Sequence, residues 1–331
     1  MKGTSRTIAL TAIVLLLIIR VAAQTAPEAR FTAPRPADDE QQRIDLINRF
    51  MEASISDEWS DAFEIATTYV KKYPGSLEVV SFQRWIADFP KARKNALSNY
   101  VRERQFQKAF KVGRGILKAE PRDFRTLANM VNAALGAALH NDPSLLPEAG
   151  PIAKLALALV ESREATDEIL APASRDEMLA WLYRSIGFFS LQSQPAEAVK
   201  YLHKALQYQA FQKDPYIYAF LAEALIQGEY KPLYFAYIAT FPTWATRGSQ
   251  TAALCRARIN QSADLIVDAA ARFLNLAQKD PGNVSEEHVA YWFEQITNFY
   301  KSRNSGFDTG LQEYIDGVFS KPLGESVPEN E

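Results

Sequence analysis

The stretch Ala62-Phe63-Glu64-Ile65-Ala66-Thr67-Thr68-Tyr69-Val70-Lys71-Lys72-Tyr73-Pro74 decides the fold. A small residue is followed four positions later by a second residue and three later by a pair, and the run stops at proline. The same spacing returns at Ala109, Gly113, Ile116-Leu117 and Pro121, at Ala198, Leu202 and Ala205-Leu206, and at Ala269, Phe273, Leu276-Ala277 and Pro281. Steps of four and three put these residues on one helical face, with small side chains where another helix must come close. A pattern repeated along a chain predicts stacked helical hairpins, an all-α fold and an extended binding surface. It does not name what binds.

Composition agrees with this reading. Hydrophobic residues make up 47% and charged residues 23% of the 331, ordinary values for a folded protein. Only 14 glycines and little Val/Thr alternation disfavour an all-β fold. Residues 1–23 read as a secretory signal: Lys2 and Arg6 precede an apolar run from Ile8 to Ile19, and Val21-Ala22-Ala23 offers a cleavage site before Gln24. The run is shorter than the roughly 20 residues a membrane span needs. The alternative is an uncleaved anchor with Arg20 at the membrane surface.

Removing Lys2, Arg6 and Arg20 from 37 basic residues leaves 34 against 39 acidic ones, a formal charge of −5. That balance argues against a nucleic-acid partner. Cys255 is the sole cysteine, so no internal disulfide can form, and it is expected to be buried and inert. Export into a bacterial periplasm or the medium follows from the signal and this sparing use of cysteine.

Residues 24–38, with Pro27, Pro34 and Pro36, read as a flexible linker, and residues 321–331 as a disordered tail. Helices are expected near 40–55, 58–73, 77–88, 90–104, 106–119, 122–140, 146–162, 174–192, 195–210, 215–228, 231–241, 249–261, 263–279, 285–302 and 308–319. Ser174-Arg175-Asp176-Glu177 fits a capping box, and Asp214-Pro215 and Phe89-Pro90 place proline at a first helical position.

Residues 58–281 resemble the tetratricopeptide repeat family. Trp59-Ser60-Asp61-Ala62 and Phe106-Gln107-Lys108-Ala109 are similar to the aromatic-to-Ala entry of its second helices, and Ile186-Gly187 and Leu221-Ala222 to the large-small pairs of its first helices. Gly228-Glu229-Tyr230 is similar to its interhelical turn, and Ala149, Ala153 and Ala156-Leu157 to a degenerate unit. Spacings of 40 residues and more between second helices, against the family's 34, make the array irregular. The resemblance implies a right-handed superhelical solenoid of stacked antiparallel helix pairs over 39–281, with capping helices over 282–320.

It also implies a concave groove holding a protein or peptide partner. Lys91, Lys94, Ser98 and Arg102 would face it from one helix, and Arg125, Asn129 and Asn132 from the next. Lys94 and Asn129 sit where carboxylate-clamping members carry Lys and Asn. Ser98 replaces a second Asn, and Trp181 and Ser185 supply no cation, so the clamp is incomplete. The plainer reading makes Lys91, Arg93, Lys94 and Arg102 a solvated helix face.

A second feature is aromatic. Tyr230, Tyr234, Tyr237, Phe241 and Trp244 are spaced to form one stripe, either a hairpin core or an exposed platform for glycan or cell wall. Buried Tyr234 and Trp244 suit a protein-binding adaptor, and exposed ones suit the glycan reading; Phe235 and Ile238 offer a different face for burial. His140, His203 and His288 are far apart in sequence and predict no metal site, and no nucleophile elbow, phosphate loop or dinucleotide fingerprint occurs. The sequence therefore predicts a non-catalytic exported scaffold without cofactor or metal, resembling envelope-assembly repeat proteins at 69–76.

Overall fold

A computed structural model describes residues 37–55 and 59–324; the signal expected at 1–23 and most of the linker lie outside them. The protein is all-helical, with no strand among the described residues. It divides into two compact units, residues 1–121 and 122–331.

In the first unit, α1 (Ala37–Ile55), α2 (Trp59–Lys72), α3 (Val79–Arg102) and α4 (Phe106–Ala119) pack in series, each on the next. Because α1 already begins at Ala37, the expected linker is two residues too long. Ala62, Ala66 and Tyr69 have no exposed surface, so the small-residue stripe of α2 lies wholly inside. Tyr69 stacks on Phe82 at 4.3 Å, and Phe50 meets Phe82 edge-on at 4.8 Å. A half-buried polar knot closes this core. Arg43 Nη1 donates to Glu78 Oε1 at 2.6 Å, and the Tyr69 hydroxyl donates to the other Glu78 oxygen at 3.0 Å.

The expected break at Phe89-Pro90 is absent: α3 runs through Pro90. Phe82, Phe89, Arg93, Ala96 and Leu97 form one buried stripe across that point, while Pro90 itself faces solvent. Packing on both sides of the proline outweighs its missing N–H and ring clash, which together cost about 3 kcal/mol in a helix interior. Arg93 is also not solvated. It is buried over the Phe89 ring at 4.6 Å and donates to the Gly115 carbonyl at 3.1 Å.

The second unit contains α5 (Phe124–Leu139), α6 (Leu146–Glu161), the short α7 (Asp167–Leu170), α8 (Arg175–Ser190), α9 (Pro195–Leu206) and α10 (Pro215–Leu225). A π-helical segment (Ile226–Tyr230) leads into α11 (Lys231–Thr240), followed by α12 (Trp244–Arg247), α13 (Gln250–Lys279), α14 (Glu286–Arg303) and α15 (Leu311–Gly317). Packing is serial: α5 on α6, α6 on α8, α8 on α9, α9 on α10, α10 on α13, and α13 on α14. Ala149, Ala153 and Ala156, then Ala198, Leu202 and Ala205, then Ala269 and Phe273 are all fully buried. The capping box at Ser174 and Glu177 forms, and the Asp214 side chain accepts from the Tyr216 amide.

In the second unit three further boundaries differ from the sequence expectation. The helices expected at 249–261 and 263–279 are one, because nothing between Gln250 and Lys279 is a Gly or Pro. Gly228 makes no interhelical turn. Helical backbone continues through it, and a Cβ there would stand 2.7 Å from the Ala196 amide nitrogen, so glycine permits contact with the start of α9. The expected tail begins too early, since Lys321 and Gly324 are fastened to α13. Arg272 Nη2 donates to the carbonyls of Val318 at 3.1 Å and Lys321 at 2.7 Å, and the Gly324 amide donates to Asp268 at 2.5 Å.

Candidate functional site

The groove candidates fall in both units. In the first, Lys91 and Arg102 are exposed on α3 and Lys94 is half-buried. Lys94 Nζ pairs with Glu120 at 2.6 Å, the Ser98 hydroxyl donates to the Lys94 carbonyl, and Arg102 donates to Asn99 at 2.8 Å. An incoming carboxylate would have to displace Glu120 from Lys94. In the second unit, Arg125 and Asn132 are exposed on α5, and the Asn129 amide donates to the Arg125 carbonyl one turn back. The Ser185 hydroxyl is buried and spent on the Trp181 carbonyl, so no third clamping helix is available.

The aromatic stretch is arranged differently from a single stripe. Tyr230 ends the π segment, Tyr234 and Tyr237 lie on α11, Phe241 follows the end of that helix and is buried, and the Trp244 side chain lies outside the described residues. Tyr230 packs edge-on against Phe299 of α14 at 4.9 Å and stacks on Tyr234 at 5.8 Å. Tyr234 is 41% exposed, and the face expected as its buried alternative is open too: Phe235 is 65% and Ile238 39% exposed.

No residue of α11 is buried, although it reads Lys-Pro-Leu-Tyr-Phe-Ala-Tyr-Ile-Ala-Thr. Its substantial neighbours are the π segment and α13. The first half of α13 is nearly as open, with only Ala252 and Ile259 buried between Gln250 and Gln261. Leu254 is 64% exposed, and Cys255 is half-buried where burial was expected. Beside this surface, burial in the π segment pushes the Glu229 carboxyl above its ordinary range.

The second unit also holds a cavity of about 200 Å³ lined by Asp268, Arg272, Glu313 and Tyr314. Arg272 is already engaged there, Nε to Asp268 at 2.8 Å and Nη2 to the Lys321 carbonyl at 2.7 Å. Among the described residues, no three His, Cys, Asp or Glu side chains converge on a metal-sized site.

Sequence reading found Tyr234 but missed its exposed companions Phe235, Ile238 and Leu254. A signal for them exists. From Tyr230 to Ala263 no Asp or Glu occurs, so the stretch offers no carboxylate to the cations of a neighbouring helix. Compared with known proteins, the sequence matches no family model and no curated protein.

Proposed function

We propose that the protein is a non-catalytic helical-repeat scaffold, a solenoid of the tetratricopeptide kind, which holds a protein or peptide partner outside the cytoplasmic membrane. One observation carries the reading: in helix after helix the recurring small residues sit at zero exposure where the next helix packs. Gly187 of α8 supports it further, since a Cβ there would stand 2.6 Å from Leu202 of α9. Helices in such close series cannot bury their faces alone, and stacking leaves long polar flanks for a partner. The exposed Arg125 and Asn132 on α5 are the side chains such a partner would meet in the second unit.

Affinity purification of the chain from the solubilised envelope of its source tests this. One or two stoichiometric partner proteins are expected, with recovery reduced at least fivefold by Arg125→Glu. Unchanged recovery removes this flank as the site.

The exposure of Tyr234 favours a second reading, a glycan or cell-wall platform. A partner-free chain that cosediments with purified cell wall, and loses this with Tyr234→Ala, would replace the scaffold by that reading.

A further inference from the structure

The hairpin of α11 and the first half of α13 differs from the rest of the chain in charge as well as exposure. The sequence carries 39 acidic residues, yet none lies between Tyr230 and Ala263, where Lys231, Arg247, Arg256 and Arg258 occur. Lys231, Arg256 and Arg258 are exposed. Between Gln250 and Gln261 only Ala252 and Ile259 are buried. Apolar, aromatic and cationic side chains of α11 and the first half of α13 thus stand open on an acidic molecule, and exposed apolar surface of this kind marks an interaction site.

The circumference of α11 decides what covers it. Here Leu233 to Ala239 is apolar or aromatic in every direction, and polar residues stand only at the ends, Lys231 and Thr240. A helix hydrophobic all round belongs in a core or in lipid. Ten residues rise about 15 Å, half the roughly 30 Å hydrocarbon layer, so α11 cannot cross a bilayer and would lie in its boundary. Tyrosine suits that boundary, with its ring in the apolar zone and its hydroxyl in the wet one. A two-fold pairing of hairpins from two copies would set the four cations against four more, which is repulsive.

We propose that the α11–α13 hairpin docks on an anionic lipid bilayer, with α11 settled among the head groups and Arg256 and Arg258 engaging lipid phosphates. This inference is independent of the scaffold reading. It also gives the hairpin a task that repeat stacking does not.

Flotation of the chain from Gln24, which keeps every described residue, tests it. The probes are vesicles of phosphatidylcholine with phosphatidylglycerol, and of phosphatidylcholine alone. Binding is expected to the anionic vesicles and to weaken with salt. Phe235→Asp with Ile238→Asp should lower it at least tenfold, and Arg256→Gln with Arg258→Gln by about fivefold per charge removed. Unchanged circular dichroism and melting would show that these exposed substitutions leave the fold intact. Equal binding by the variants overturns the proposal, as does absence of binding to anionic vesicles. In the latter case, a dimer dissociated by Phe235→Asp with Ile238→Asp assigns the hairpin to a second copy. A monomer assigns it to a protein partner.

Discussion

Gly187 and Gly228 are fixed by what one methyl group would strike. At Gly187 the obstacle is the branch carbon of Leu202, itself fully buried; at Gly228 it is the backbone of Pro195 and Ala196, at 2.7–2.9 Å. Neither can move away cheaply: Leu202 is held in a packed core, and the obstacle at Gly228 is helix backbone with no side chain to rotate aside. Gly187→Ala and Gly228→Ala should each destabilise the second unit by about 1–3 kcal/mol in urea unfolding. Gly150→Ala, with nothing within 4 Å of its Cβ, should be neutral or slightly stabilising. Gly187 was legible as the small half of a large-small pair. Gly228 was misread because a glycine that admits a neighbour and one that turns the chain look alike in sequence.

The Arg43–Glu78–Tyr69 knot is a second residue-scale feature, and a long-range one that no local spacing announces. Burial pushes the Glu78 carboxyl up, but the Arg43 guanidinium and the Tyr69 hydroxyl outweigh it and hold the group below its ordinary value of 4.5. The folded state therefore releases this proton more readily than the unfolded chain. Its contribution is fully present above the ordinary carboxylate range and fades as pH falls through the lower folded value. Glu78→Gln should cost about 1–2 kcal/mol at neutral pH and flatten the acid limb of stability against pH, read by thermal melts across pH 2–7.

At the scale of elements, two helices are longer than the sequence suggested, for the same reason. Punctuation residues were read locally, whereas helices end where packing ends. Pro90 sits on the solvent side of α3 with Phe89 and Arg93 anchored around it. Pro90→Ala restores a donor and removes a ring clash, so it should raise the stability of the first unit by up to about 3 kcal/mol, measured by urea unfolding. In α13, the buried Asp268–Arg272 pair and Asn275, which donates to the Ile315 carbonyl at 2.9 Å, hold the C-terminal segment. Arg272→Met leaves Asp268 buried without its partner and should cost about 3–5 kcal/mol. Amide exchange over residues 311–324 should accelerate first. If that segment stays protected while α13 loosens, the pair serves the helix and not the clasp.

For the whole molecule, helix content and the buried stripes were readable because a 4-3 spacing of small residues has few alternative explanations. The division into two units was not, because serial packing looks the same in sequence whether or not it is interrupted. Each unit has its own core: Phe50, Tyr69 and Phe82 in the first, and the alanine stripes with Leu202 and Phe273 in the second. Each is also of ordinary domain length. Gln24–Pro121 and Arg122–Glu331, produced separately, should therefore both be helical by circular dichroism and unfold cooperatively. In the intact chain, Pro90→Ala should shift only the transition of the first segment, and Gly187→Ala only that of the second. A repeat array coupled end to end would behave otherwise: stability would depend on nearest neighbours throughout, either segment alone would be weakened at its cut face, and both substitutions would move one common transition. Melting the two segments and the two variants side by side separates these architectures, and a single shared transition would rule out independent units.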